Sequence, residues 1–83
     1  MKNTLITGAS SGFGIYFAHI AAKAGHSVIL TARRIEILEN LAIDLHQRYQ
    51  VTVDIIQSDL GTSTGAQQLI QEIENRGLQV DTL

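Results

Sequence analysis

The sequence predicts an α/β chain, a parallel sheet with crossover helices in the order strand, helix, strand, helix, strand, helix, strand. Three observations carry this. Short apolar clusters are each followed by a longer segment whose apolar residues recur three and four positions apart. The intervening segments are long enough to hold a helix, as parallel pairing requires. A glycine-rich stretch, Thr7-Gly8-Ala9-Ser10-Ser11-Gly12-Phe13-Gly14, lies at the first strand-to-helix junction.

The first strand is Leu5-Ile6-Thr7, closed by Gly8. The first helix runs from Phe13 to Ala24. Ile15, Phe17, Ala18, Ile20, Ala21, Ala22 and Ala24 cover a broad face, and Gly25 is the stop. Its alanines favour helix and permit close approach to a sheet. Ser27 to Thr31, centred on Val28-Ile29-Leu30, is the second strand, apolar on both faces as parallel strands usually are. Ile35, Leu38, Leu41, Ala42 and Leu45 form one side of a second helix ending near Gln47. Residues 51–57 read as the third strand, with Val51, Val53 and Ile55 alternating and Ile56 facing the other way. Ala66, Leu69, Ile70 and Ile73 form a third helical stripe, with Ser63 as its cap and Gly77 as its end. Val80 to Leu83 reads as the opening of a fourth strand. The chain is therefore expected to be one partial domain, residues 1–83, broken off where that strand begins, and so a fragment of a longer protein or a truncated gene product.

Composition narrows the function classes. The 83 residues suffice for one small domain, and 45% apolar against 17% charged residues is ordinary globular composition. Six Lys and Arg stand against eight Asp and Glu, so a broad nucleic-acid surface is not expected. There is no Cys, hence no disulfide, thiol nucleophile or thiolate metal site. No stretch reads as a signal peptide or membrane span, and the expectation is a soluble, cytoplasmic chain without a membrane partner. His19, His26 and His46 are too scattered to suggest a metal centre. Phe17 and Tyr49 are expected to pack at the core or its rim. Glu36, Glu39, Glu72 and Glu74 read as solvated helix positions.

The glycine stretch carries the chemistry. Gly8 permits a tight exit from the strand. Gly12 lets backbone approach a ligand, and Gly14 lets the new helix pack near the sheet. The amides from Ser11 to Gly14 then point outward at the positive end of the helix dipole, an arrangement that suits a pyrophosphate. The spacing differs from G-x-G-x-x-G, though the device is similar. No Lys follows the last glycine, so this is not a P-loop.

Over essentially its whole length the chain resembles the amino-terminal part of the short-chain dehydrogenase/reductase family. That family's first motif is T-G-x-x-x-G-x-G, which Thr7 to Gly14 matches in the form T-G-A-S-S-G. Phe13 replaces the usual Ile or Leu before the last glycine. The resemblance implies a Rossmann-like doubly wound parallel sheet, here its βαβαβαβ portion only. It also implies NAD- or NADP-linked hydride transfer on a small-molecule alcohol or carbonyl substrate that these residues do not identify. Gly8, Ser10, Ser11, Gly12, Phe13 and Gly14 are then candidate cofactor-binding residues.

NADP is expected rather than NAD. A free ribose 2′-hydroxyl is commonly bound by an acid after the second strand. Here Arg33 and Arg34 stand there instead, and no acid comes before Glu36. Arginine pairs with a 2′-phosphate through charge-assisted bonds. In the resembling family NADP-preferring members often carry a basic residue directly after this strand, which favours Arg33. Arg34 would stack or lend charge, and Ser10 would reach the same phosphate. Asp59 either accepts from the adenine amino group, as the family implies, or caps a local turn. Leu60, with Ala32, is expected beside the adenine.

No catalytic residue is assigned. The family's Asn-Ala-Gly motif and its Ser, Tyr and Lys would follow Leu83. Tyr16 and Lys23 are seven residues apart rather than four and are not that pair. The chain is read as the cofactor-binding segment of an NADP-dependent oxidoreductase. The alternative is a stand-alone nucleotide-binding or regulatory module without catalysis. Homo-oligomerisation through exposed edges is left open.

Overall fold

The structure is a computed structural model, and it describes residues 3–62 and 64–80. The elements are β1 (Asn3–Ile6), α1 (Gly12–Lys23), β2 (Ser27–Ala32), α2 (Ile35–Tyr49), β3 (Val53–Gln57) and α3 (Gly65–Asn75). The three strands form one parallel sheet in the order β1-β2-β3. The expected alternation is thus present through its third helix. Of the expected fourth strand, residues 81–83 lie outside the described residues. Val80 packs onto the cluster of Leu5, Ile29, Ile56 and Leu69.

Strand β2 lies between the other two and is buried along its whole length. Its side chains alternate between two cores, as the pleat dictates. Val28, Leu30 and Ala32 face α1 and α2, joining Ile6, Ala18, Ala22, Leu38 and Leu45. Ile29 faces the other way, with Leu5, Ile56 and Leu69 of α3. Register explains the layers, since Ile6 pairs with Leu30 and Leu30 with Ile55. Helices α1 and α2 therefore cover one face and α3 the other, which makes the sheet doubly wound.

Several local expectations shift. Strand three begins at Val53, where pairing with β2 starts opposite Val28, and Val51 is buried with the α2 core. Helix α2 runs two residues past Gln47 to Tyr49 and ends on Gln50, a non-glycine residue in the left-handed region (φ 58°). The residue before α3 is Thr64, whose side chain makes no cap bond, and Ser63 lies outside the described residues. Ile70 is not part of the buried stripe of α3. It is 57% exposed, and Leu69 with Ile73 makes the contact instead. Phe17, expected at the core or its rim, is 53% exposed, and Ile20 is 48% exposed. They stand on the side of α1 beyond β1, where no further described element covers them. Among the described residues no helix is long and apolar enough to cross a membrane.

Candidate functional site

The glycine stretch leaves β1 at the carboxyl end of the sheet. Gly8 takes φ +61°, a conformation that a side chain would strain. The Ala9 amide then donates to the Thr31 carbonyl at 3.1 Å, joining the loop to the end of β2. Ser11 is the N-cap of α1. Its Oγ accepts from the Gly14 amide at 3.1 Å and donates to the Gly8 carbonyl at 2.8 Å. Gly14 is buried against the same loop, and a Cβ there would fall on the Gly8 carbonyl oxygen.

These bonds decide which amides face outward. Gly14 is committed to Ser11 Oγ, and Ile15 donates to the Ser11 carbonyl at 2.9 Å. Among the described residues, the Gly12 and Phe13 N–H groups have no protein acceptor. They open the first turn, at the positive end of the helix. A Cβ on Gly12 would meet no protein atom, so the space before it is open. The outward set is thus Gly12 and Phe13, narrower than the expected Ser11 to Gly14.

Two clefts flank this loop. One, of about 480 Å³, opens over the carboxyl ends of β1, β2 and β3 and is lined by Gly8, Ser10, Arg33, Asp59, Leu60 and Gly61, among others. The other, of about 620 Å³, runs along β1 and α1 past Thr7, Phe13, Phe17 and Ile20 to His26. Ser11 lines both. The larger cleft is mostly apolar, while the smaller holds Arg33 and Asp59. Of the ten predicted site residues, Gly8, Ser10, Ser11, Arg33, Asp59 and Leu60 meet in the smaller cleft. Ser11, Phe13 and Gly14 line the larger one. Gly12 opens α1 beside both, and Arg34 stands apart as the N-cap of α2.

Arg33 is exposed and, among the described residues, makes no ion pair. Asp59 closes a turn: its Oδ1 accepts from the Gly61 amide at 2.9 Å while the residue lines the cleft. The Thr62 hydroxyl donates to the Asp59 carbonyl and accepts from the Gly65 amide, both at 3.0 Å. Gly65 is buried, and a Cβ on it would fall on the Asp59 carbonyl oxygen. Gly65 therefore seats α3 against the Asp59 turn, a role that sequence reasoning missed although a glycine at a helix start signals it. Also missed was the 2.6 Å bond between the Thr31 and Ser58 hydroxyls, which joins β2 to β3 beneath the cleft and has no local sequence signal.

The histidines serve packing. His19 bonds Tyr49 Oη at 3.0 Å, His26 bonds Thr4 Oγ1 at 3.0 Å, and His46 Nδ1 donates to the Val51 carbonyl at 3.0 Å. Among the described residues no group of His, Asp and Glu is placed to hold a metal. Arg48 pairs with Asp44 at 2.7 Å, and that hydrogen bond raises the guanidinium's pKa. Tyr16 is exposed on α1 with its ring 5.7 Å from that of Phe17.

Parallel strands wound on both faces, with a glycine turn at their carboxyl ends, define a Rossmann-type α/β domain. The chain belongs to the short-chain dehydrogenase family, whose model matches residues 2–83. It is 43% identical over 79 residues to sulfoacetaldehyde reductase 2 of Chromohalobacter salexigens, covering 95% of this chain and 31% of that protein. It is 35% identical over 83 residues to the NADP-dependent 3-hydroxy acid dehydrogenase of Schizosaccharomyces pombe, covering 99% and 32%. Its fold superposes with a TM-score of 0.90 on the alcohol dehydrogenase of Thermococcus sibiricus complexed with 5-hydroxy-NADP. The two are 32% identical, and the match covers 98% of this chain and 34% of that one. The chain spans about a third of the length of these relatives.

Proposed function

We propose that residues 1–83 form the amino-terminal, NADP(H)-binding part of a cytoplasmic short-chain dehydrogenase/reductase. The observation that carries this reading is the pair of outward amides at Gly12 and Phe13, set beside a cleft that contains Arg33. Two unpartnered N–H groups at a helix start suit a diphosphate, and the open space before Gly12 admits one. Arg33 supplies a positive charge for a 2′-phosphate at the end of β2. The NADP-dependent 3-hydroxy acid dehydrogenase of Schizosaccharomyces pombe and the alcohol dehydrogenase of Thermococcus sibiricus complexed with 5-hydroxy-NADP support the same cofactor.

The chain's own residues bind and orient. Gly12 and Phe13 would hold the diphosphate, Arg33 and Ser10 the 2′-phosphate, and Asp59 with Leu60 and Ala32 the adenine side. A bound nicotinamide would supply a hydride acceptor or donor for an alcohol or carbonyl substrate. No residue described here stands as its general acid. In this reading catalysis belongs to residues beyond Leu83.

The test is separate calorimetric titration of this chain with NADPH and NADH. Tighter binding of NADPH is expected, and that preference should vanish in Arg33→Ala. Equal affinities in the unaltered chain would overturn the cofactor assignment.

A further inference from the structure

We infer that Gln57 is a positioning residue for cofactor choice: its side chain holds the Arg33 peptide so that the guanidinium is presented to the cleft. This inference rests on the NADP(H) reading above. Backbone pairing between β2 and β3 runs out at this point, where Ala32 lies opposite Gln57 and the Ser58 amide donates to the Ala32 carbonyl at 3.0 Å. Arg33 has left the strand and has not entered α2, whose N-cap is Arg34. Its carbonyl would otherwise depend on water. Gln57 Nε2 donates to it at 2.9 Å, adding one more rung to the ladder through a side chain.

That rung matters because Arg33 has several rotatable bonds beyond its Cα. A backbone free to rotate would spread the guanidinium over a wide arc, and ordering it on binding would cost affinity. Holding the peptide narrows the arc beforehand. Below it, the Thr31–Ser58 hydroxyl bond fixes the preceding residues, so the corner is tied at three successive positions. Gln57 does not line the cleft, so replacing it removes no wall of the site. Its influence would pass through Arg33 alone.

The experiment uses Gln57→Leu, which keeps the bulk and removes the donor. Two readouts are taken. In the ligand-free chain, the Arg34 backbone amide, which belongs to the tethered peptide, should change chemical shift. In titrations, the NADPH-over-NADH affinity ratio should fall about two- to tenfold, the range expected for one hydrogen bond, with NADH affinity unchanged. A merely structural role would weaken both cofactors together. An unmoved Arg34 amide, or an unchanged ratio where Arg33→Ala still abolishes the preference, would overturn the role of Gln57 and leave the cofactor reading standing. If the unaltered chain shows no preference for NADPH, the cofactor reading itself fails and the inference falls with it.

Discussion

Gly14 lies so close to Gly8 that a methyl group on its Cα would collide with the Gly8 carbonyl oxygen. The first turn of α1 can therefore rest on the loop only while residue 14 has no side chain. The same helix start has open space at Gly12. Two glycines two residues apart thus have different duties, one inward and one outward.

Gly14→Ala should destabilise the fold by about 1–3 kcal/mol, the usual range for overpacking a tight site. Gly12→Ala should change stability by less than about 1 kcal/mol, since its Cβ meets nothing. Urea denaturation of the two variants measures the difference. Equal losses would show that the loop yields where the structure has it rigid.

Ser11→Ala removes the cap of α1 and should cost about 1 kcal/mol. It also releases the Gly14 amide. Hydrogen exchange should then speed up at Gly14, while exchange in β2 follows only the global loss of stability.

Arg33→Ala should lower NADPH affinity about ten- to a hundredfold, as expected for a charge-assisted bond, and leave NADH affinity nearly unchanged. Arg34→Ala should have the smaller effect, because Arg34 lies off the cleft as the α2 N-cap. Calorimetry on both variants distinguishes the two arginines. A larger loss in Arg34→Ala would reverse their assignment.

Gln50→Gly should stabilise the chain by about 1 kcal/mol. Gln50 ends α2 with φ 58°, where a side chain is strained and glycine is preferred. Thermal melting checks the sign. A lowered midpoint would mean that the glutamine side chain contributes a contact that outweighs the strain.

Much of this was legible in local patterns. The apolar run 28–30 marked a strand covered on both faces, and Gly25 and Gly77 do stand at helix ends with positive φ. The glycine spacing marked the loop itself. Periodicity marks an apolar face but not what covers it, which is why Ile20 and Ile70 belong to apolar helical stripes and yet are exposed. The amide that Ser11 takes from Gly14 depends on a side-chain rotamer, which spacing does not report. The bonds from Gln57 to Arg33 and from Thr31 to Ser58 join residues far apart in sequence, so no local pattern announces them.

The most direct test of the account follows the backbone amides of this chain by NMR while NADPH is added to saturation. The Gly12 and Phe13 signals should shift strongly and saturably, with Gly14 moving less because Ser11 already holds it. If NADPH saturates the chain while Gly12 and Phe13 stay in place, the glycine turn does not carry the diphosphate and the account is contradicted.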